Sequence, residues 1–214
     1  AQQSQQLVTT GPTIASVGCA AVDASAVDVV HVVAVGANAL GGAVTATADG
    51  AVAVGSNALV ALTTGASNTA IGKSAGVDIT TGSSNTIVGH TATSAATVSN
   101  NTLIGAAAGI NTLGGNNTSV GVNTLNSAAT AVTDTVAIGA NALTSALTTG
   151  ANGATAVGSS ALTALTTGAS NVGVGFNAAS TLTTGSSNTV FPAGARAAAT
   201  ISSNTVVGAN AGSI

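Results

Sequence analysis

The 214-residue chain carries seven charged side chains, Lys73 and Arg196 against Asp23, Asp28, Asp49, Asp78 and Asp134, for a net charge of −3. Two cations cannot neutralise a row of phosphates, which argues against nucleic acid as a partner. No apolar run approaches the ~18–20 residues of a membrane helix, so no membrane insertion is expected.

An ordinary soluble domain is about a quarter charged, and disorder goes with low hydrophobicity and high charge. This composition is the reverse and predicts an ordered chain. It has no Glu, Met, Trp or Tyr, and its only aromatic residues are Phe176 and Phe191. Interiors pack to near-crystal density, so a core of Ala and Val must be thin, with layers brought close together. The lone Cys19 allows no internal disulfide. The opening "AQQSQQ" shows no basic region or apolar stretch, and no signal peptide is visible in it.

In chain order, residues 1–30 match the repeat of residues 31–214 poorly and are expected to form a cap or attachment segment, with Gly18 a degenerate first copy. Residues 31–214 are the repeat itself. Its anchor is the glycine at positions 36, 55, 72, 89, 105, 121, 139, 158, 175 and 208, with Pro192 in the one slot where glycine is missing. The anchors stand 16 to 19 residues apart. The residue before the anchor (position −1) is large and apolar in all eleven copies, from Val35 to Val207. Position −3 is always Val or Thr, and +3 is Ala except at Thr124. Position −4 is Asn in seven copies: Asn68, Asn85, Asn101, Asn117, Asn171, Asn188 and Asn204.

The segment before each anchor reads as a short strand, bulky and branched at −1 and −3 and mostly small at −2. Neither face is charged, and a strand apolar on both sides is buried on both sides. Most units then carry a second, looser stretch ending in Thr-Thr-Gly, at 63–65, 80–82, 148–150, 166–168 and 183–185. This is expected to be a second short strand, its glycine freeing the chain to turn. Two strands and two turns in about 17 residues make one rung of a parallel β-solenoid. Rungs stack ~4.8 Å apart, and the Asn slots become amide ladders. A rod with an apolar outer face needs a partner, and the simplest is another copy around a symmetry axis.

The units "NTAIGKSA", "TVAIGANA", "ATAVGSSA" and "AVAVGSNA" resemble the collagen-binding head repeats of trimeric autotransporter adhesins. "TTGSSNT-V-G" units are similar to repeats of phage fibres and other virion appendages. The resemblance covers roughly residues 30–214. It implies a left-handed parallel β-roll, three chains side by side, with the regular strands towards the threefold axis. The stalk and membrane-anchoring barrel of those adhesins have no counterpart here. The sequence therefore points first to a non-enzymatic structural protein of a virion: a homotrimeric fibre, spike or capsid decoration. It would bind other virion proteins through a terminus and a host-surface receptor. The alternatives are the head of a bacterial surface adhesin, at the cell surface, and an ice-binding protein presenting one Thr of each pair to water.

Motifs that imitate chemistry fall inside the repeat. His31 comes three residues after Asp28, too few ligands for a metal. Gly72-Lys73-Ser74 ends like a phosphate-binding loop, but the first glycine of that motif would be Ser67. Lys73 and His90 share one slot in consecutive rungs and suggest a small cationic spot. Gly173-Val174-Gly175-Phe176-Asn177-Ala178 matches a dinucleotide fingerprint without its acidic residue ~20 positions later. Asn100, Asn116 and Asn117 head Asn-x-Ser/Thr sequons, glycan acceptors only in a secretory pathway. No catalytic, cofactor-binding or metal-ligating residue is assigned, and no cofactor is expected.

Overall fold

The computed structural model describes residues 14–22, 31–109, 111–126, 128–195, 197–209 and 211. The chain divides into two compact units, residues 1–106 and 107–214. Each unit is an all-β parallel solenoid. The first contains β1 (Ile14–Val17), β2 (Val32–Val35), β3 (Val52–Val54), β4 (Thr69–Ile71), β5 (Thr86–Val88) and β6 (Thr102–Ile104), each paired in parallel with the next. The second contains β7 (Asn111–Leu113), β8 (Thr118–Val120), β9 (Ala128–Val132), β10 (Val136–Ile138), β11 (Thr155–Val157), β12 (Val172–Val174), β13 (Thr189–Phe191) and β14 (Thr205–Val207). Strands β8, β10, β11, β12, β13 and β14 pair in that order, and β7 with β9 forms a separate parallel pair.

The register is that of the repeat. Ile71 lies opposite Val88, and Val88 opposite Ile104. The strand of the Gly18 copy pairs in the same register, with Val17 opposite Val35. One expectation needs correction: each rung generally contains one regular strand, not two. In the second half of a rung the backbone amide and hydroxyl of the first Thr both donate to the carbonyl of the equivalent residue one rung on. Thr63 bonds Thr80 in this way at 2.8 and 3.0 Å, and Thr166 bonds Thr183 at 2.8 and 3.0 Å. The Thr64 amide also donates to the Thr80 carbonyl, at 3.2 Å, so successive amides converge on one acceptor and the alternating bonds of a regular ladder are not made there.

Corners are made by residues of positive φ. In the rung of Gly72 these are Ser67, Gly72, Ser74 and Gly76, at 56, 133, 56 and 63°. Anchor glycines lie between φ 119 and 143°, where a side chain is strained. A Cβ on Gly72 would also sit 2.6 Å from the Gly89 carbonyl oxygen of the next rung. The Thr-Thr-Gly glycines serve a different purpose from the turning role expected of them. Gly65, Gly82, Gly168 and Gly185 do not have positive φ. A Cβ on Gly65 would overlap the Gly82 carbonyl oxygen, so the glycine is demanded by the closeness of the next rung.

The asparagines form buried ladders within each unit. Asn68 donates its amide to the Gly65 and Gly82 carbonyls, and its Oδ1 accepts from both the backbone N–H and Nδ2 of Asn85 at 3.1 and 3.0 Å. Asn85 repeats this towards Val98 and Asn101. The second unit has the same chain through Asn171, Asn188 and Asn204. Asn117 donates to Gly114 and Val132, and accepts from the Thr135 backbone N–H. A fully bonded buried amide is tolerated where an unpaired one is costly.

The core is filled by Ala and Leu rather than by Ala and Val. Position −2 points inward and is buried, as are the +3 alanines. In several rungs volume is balanced between −2 and +4. Small −2 residues Ala34, Ala53, Ala137 and Ala156 accompany buried Leu40, Leu59, Leu143 and Leu162 at +4. Where −2 is Ile87, +4 shrinks to Thr93. Such pairing of large with small keeps a thin core at native density. The +4 leucines hold φ near 50°, between 49 and 52°. That left-handed geometry costs ~1–2 kcal/mol per residue. Complete burial of each Leu offsets it by about 1.5–3 kcal/mol.

The one copy without Ala at +3 is also explained. Buried Thr124 shares a short hydrogen bond with buried Ser119, the −2 residue of its own rung, and its hydroxyl also donates to the Gly121 carbonyl at 3.1 Å.

Two outcomes are expected. Asn85→Ala strands the Asn101 N–H and the Val98 carbonyl, and should lower stability by about 3 kcal/mol. The thermal midpoint should then fall by roughly 10 °C, read by circular dichroism; a change under about 1 °C would show the ladder contributes nothing. In a double-mutant cycle, Ser119→Ala and Thr124→Ala should each destabilise. The pair should be less damaging than their sum by ~1 kcal/mol, the coupling of a bonded pair.

Candidate functional site

The feature most in need of explanation is the outward face of the strands. Alternation along a strand sends −2 inward and −1 and −3 outward. The sequence expectation of a strand buried on both faces therefore holds for one face of the single chain. In the first unit the −1 rank runs Val17, Val35, Val54, Ile71, Val88, Ile104. In the second it runs Val120, Ile138, Val157, Val174, Phe191, Val207. None of these is buried, and Ile71 is 42% exposed, Ile138 38% and Phe191 48%. Beside them stand the −3 ranks: Val33, Val52, Thr69, Thr86, Thr102, and Thr118, Val136, Thr155, Val172, Thr189, Thr205. No member of either rank is charged or carries an amide. Each unit thus presents a strip of branched side chains at rung spacing, ~4.8 Å.

The chemistry-like motifs lie at the corners, and the repeat accounts for them. No helix comes after Gly72-Lys73-Ser74. The Gly72 and Ser74 amides donate to Val54 and Ser56 of the preceding rung at 2.7 and 2.8 Å, so they are committed to the solenoid. A phosphate loop needs such amides turned towards the anion. In Gly173–Ala178 the amides of Gly175 and Asn177 donate likewise to Val157 and Ser159, and β12 leads into a turn. Lys73 and His90 are both exposed and occupy the same +1 slot of adjacent rungs.

His31 is exposed and meets Asp49 at 3.1 Å between Nδ1 and Oδ1. Asp28, its neighbour in sequence, lies outside the described residues, as do Asp23 and Arg196. Among the described residues no group of three or more His, Cys, Asp or Glu could hold a metal ion. No helix among them is long and apolar enough to cross a membrane. Of the sequon asparagines, Asn100 and Asn116 are exposed, and Asn116 donates to Asp134 at 3.1 Å. Asn117 is buried in its ladder, where no glycan can be attached.

The Thr pairs divide as their adjacency requires. Thr64, Thr81, Thr167 and Thr184, the second of each pair, are exposed, while the first is half-buried with its hydroxyl bonded to the next rung. A second Thr rank, which the Thr-Thr-Gly pattern does not reveal, stands on the regular strands at Thr69, Thr86 and Thr102. Only the direction of the strand shows that it faces out.

Comparison of the chain with protein-family models, with curated proteins and with solved structures found no match in any of the three.

Proposed function

We propose that the chain is a non-enzymatic structural protein, a homotrimeric β-roll that serves as a fibre, spike or decoration of a virion and places its outward strand faces against sister copies. The observation that carries this reading is the −1 rank: apolar in every copy, yet exposed or half-exposed throughout the single chain. A long uncharged strip in water is a docking surface or an aggregation hazard. A partner covering it must match its rung period along the axis, and another copy of the same solenoid has that period. The left hand of the roll and the number three come from the resemblance of "NTAIGKSA", "TVAIGANA", "ATAVGSSA" and "AVAVGSNA" to the head repeats of trimeric autotransporter adhesins, and the virion setting from the similarity of the "TTGSSNT" units, Thr80–Thr86 and Thr183–Thr189, to virion appendage repeats. The head of a bacterial surface adhesin would use the same face in the same way. Attachment to other virion proteins through a terminus, and to a host-surface receptor, belongs to the same reading.

Sedimentation should give three chain masses. Val88→Lys, which puts a charge into the middle of the strip, should reduce the particle to one chain mass while the circular dichroism spectrum is kept. A wild-type chain that stays at one mass across a dilution series would remove self-association. Immunogold labelling of cells rather than particles would move the protein from virion to cell surface.

A second reading rests on the outward Thr69-Thr86-Thr102 rank beside Ile71-Val88-Ile104, a flat and regular hydroxyl–methyl array. As an ice-binding surface it requires thermal hysteresis in solution, and a freezing point equal to the melting point rules it out.

A further inference from the structure

We infer that the chain is a tandem duplication of one six-rung module of 103 residues, and that its outward strand face is accordingly presented twice, once by each unit. The duplication stands on sequence and geometry alone. The use of the face for association rests on the reading proposed above.

The anchors repeat as a set. Those at 18, 36, 55, 72, 89 and 105 each have a counterpart 103 residues on, at 121, 139, 158, 175, 192 and 208. The uneven rung lengths of 18, 19, 17, 17 and 16 residues therefore occur twice in the same order. No other whole-rung shift repeats them without a gap. Residues 31–109 align with 134–212 ungapped, and 46 of the 79 positions are identical, which a set of shared anchors alone would not produce.

The geometry repeats with the sequence. Two 3-10 turns occur among the described residues, Ala46–Ala48 and Thr149–Ala151, and they stand at the same offset. The residues that end them have matching dihedrals, φ −56° and ψ 145° at Asp49 against −58° and 146° at Asn152. Hydrogen bonds recur likewise. The Ala66 and Ala169 amides donate to Ser83 Oγ and Ser186 Oγ, both at 3.1 Å. The Ser83 and Ser186 amides donate to Ser99 Oγ and Ser202 Oγ, both at 2.9 Å.

The differences between the modules locate what both have kept. No position of 31–109 holds the same charged residue as its counterpart: Asp49, Lys73, Asp78 and His90 correspond to Asn152, Phe176, Thr181 and Ala193. The cationic pair Lys73 and His90 thus belongs to one module only. The −1 slot behaves otherwise. Val54 corresponds to Val157, Ile71 to Val174, Val88 to Phe191 and Ile104 to Val207. These side chains are not buried, so core packing does not require them to be apolar. Each rung contacts only its neighbours, so a module six rungs away does not impose its outward residues on the other. Corners have gained and lost charge between the modules, and the strip has done neither.

Two experiments separate the parts. Joining Val54 directly to Gly158 removes one period, residues 55–157, and leaves every rung beside a neighbour it already has in one unit or the other. Joining Val54 to Gly105 removes three whole rungs and stacks rungs that are nowhere adjacent in the chain. The first variant, though shorter, should keep the circular dichroism spectrum and melt in one cooperative step, and the second should melt at a lower temperature. A period deletion that unfolds, or a three-rung deletion that melts no lower, makes the single rung the repeating unit and overturns the module. In the full chain, Val54→Lys and Val157→Lys are equivalent substitutions, one in each unit. In a sedimentation dilution series each should raise the dissociation constant at least about tenfold, the two factors agreeing within about threefold. A chain weakened by one substitution and indifferent to the other overturns the doubled face and leaves the module intact. A wild-type monomer at every concentration overturns the association reading and the doubled face together, while the deletion pair still decides the module.

Discussion

Within each unit successive rungs lie one backbone hydrogen bond apart, and this spacing of ~4.8 Å governs the chain. At the anchor and after the Thr pair it is too small for a Cβ, which is why glycine recurs at those two slots. It is also the length over which one asparagine amide can accept from the next. Asn68, Asn85 and Asn101 thus hold the register from inside, while Thr63 and Thr80 hold it on the other side of the rung. Slipping a rung by one residue would break the amide ladder and drive a Cβ into a carbonyl at once.

The same constraint sets the core. A rung of 16 to 19 residues encloses little volume, so inward positions are mostly small, and larger ones such as Leu59 and Ile87 are matched to a small neighbour. The Ala53–Leu59 and Ile87–Thr93 combinations are two solutions to one volume, and Ser119 with Thr124 is a polar third. The left-handed leucines show that filling this space outweighs local backbone preference.

A solenoid this thin leaves little interior in which to gather reactive groups, and the corner amides of Gly72, Ser74, Gly175 and Asn177 are already bonded between rungs. What it offers to other molecules is length and period. A face that repeats at the rung spacing is matched best by something with the same repeat.

Much of the architecture was legible in the residues. The anchor spacing, the Asn slots and the +3 alanines identified a solenoid and predicted that Ile71, Val88 and Ile104 align, because stacking repeats the same environment at the same slot. The strand's orientation was not legible. Both faces of Thr69–Ile71 are uncharged, and a period of two separates faces without saying which is inside. The structure turns the small −2 position inward because only small or compensated side chains fit a thin core, and leaves Val and Ile outside. The single strand per rung was likewise a tertiary outcome: the Thr63 and Thr64 amides converge on the one Thr80 carbonyl in place of alternating ladder bonds, and no propensity encodes that. The glycines after Thr-Thr pairs were conspicuous as residues, but their reason, a neighbouring carbonyl where a Cβ would be, exists only once the rungs are stacked.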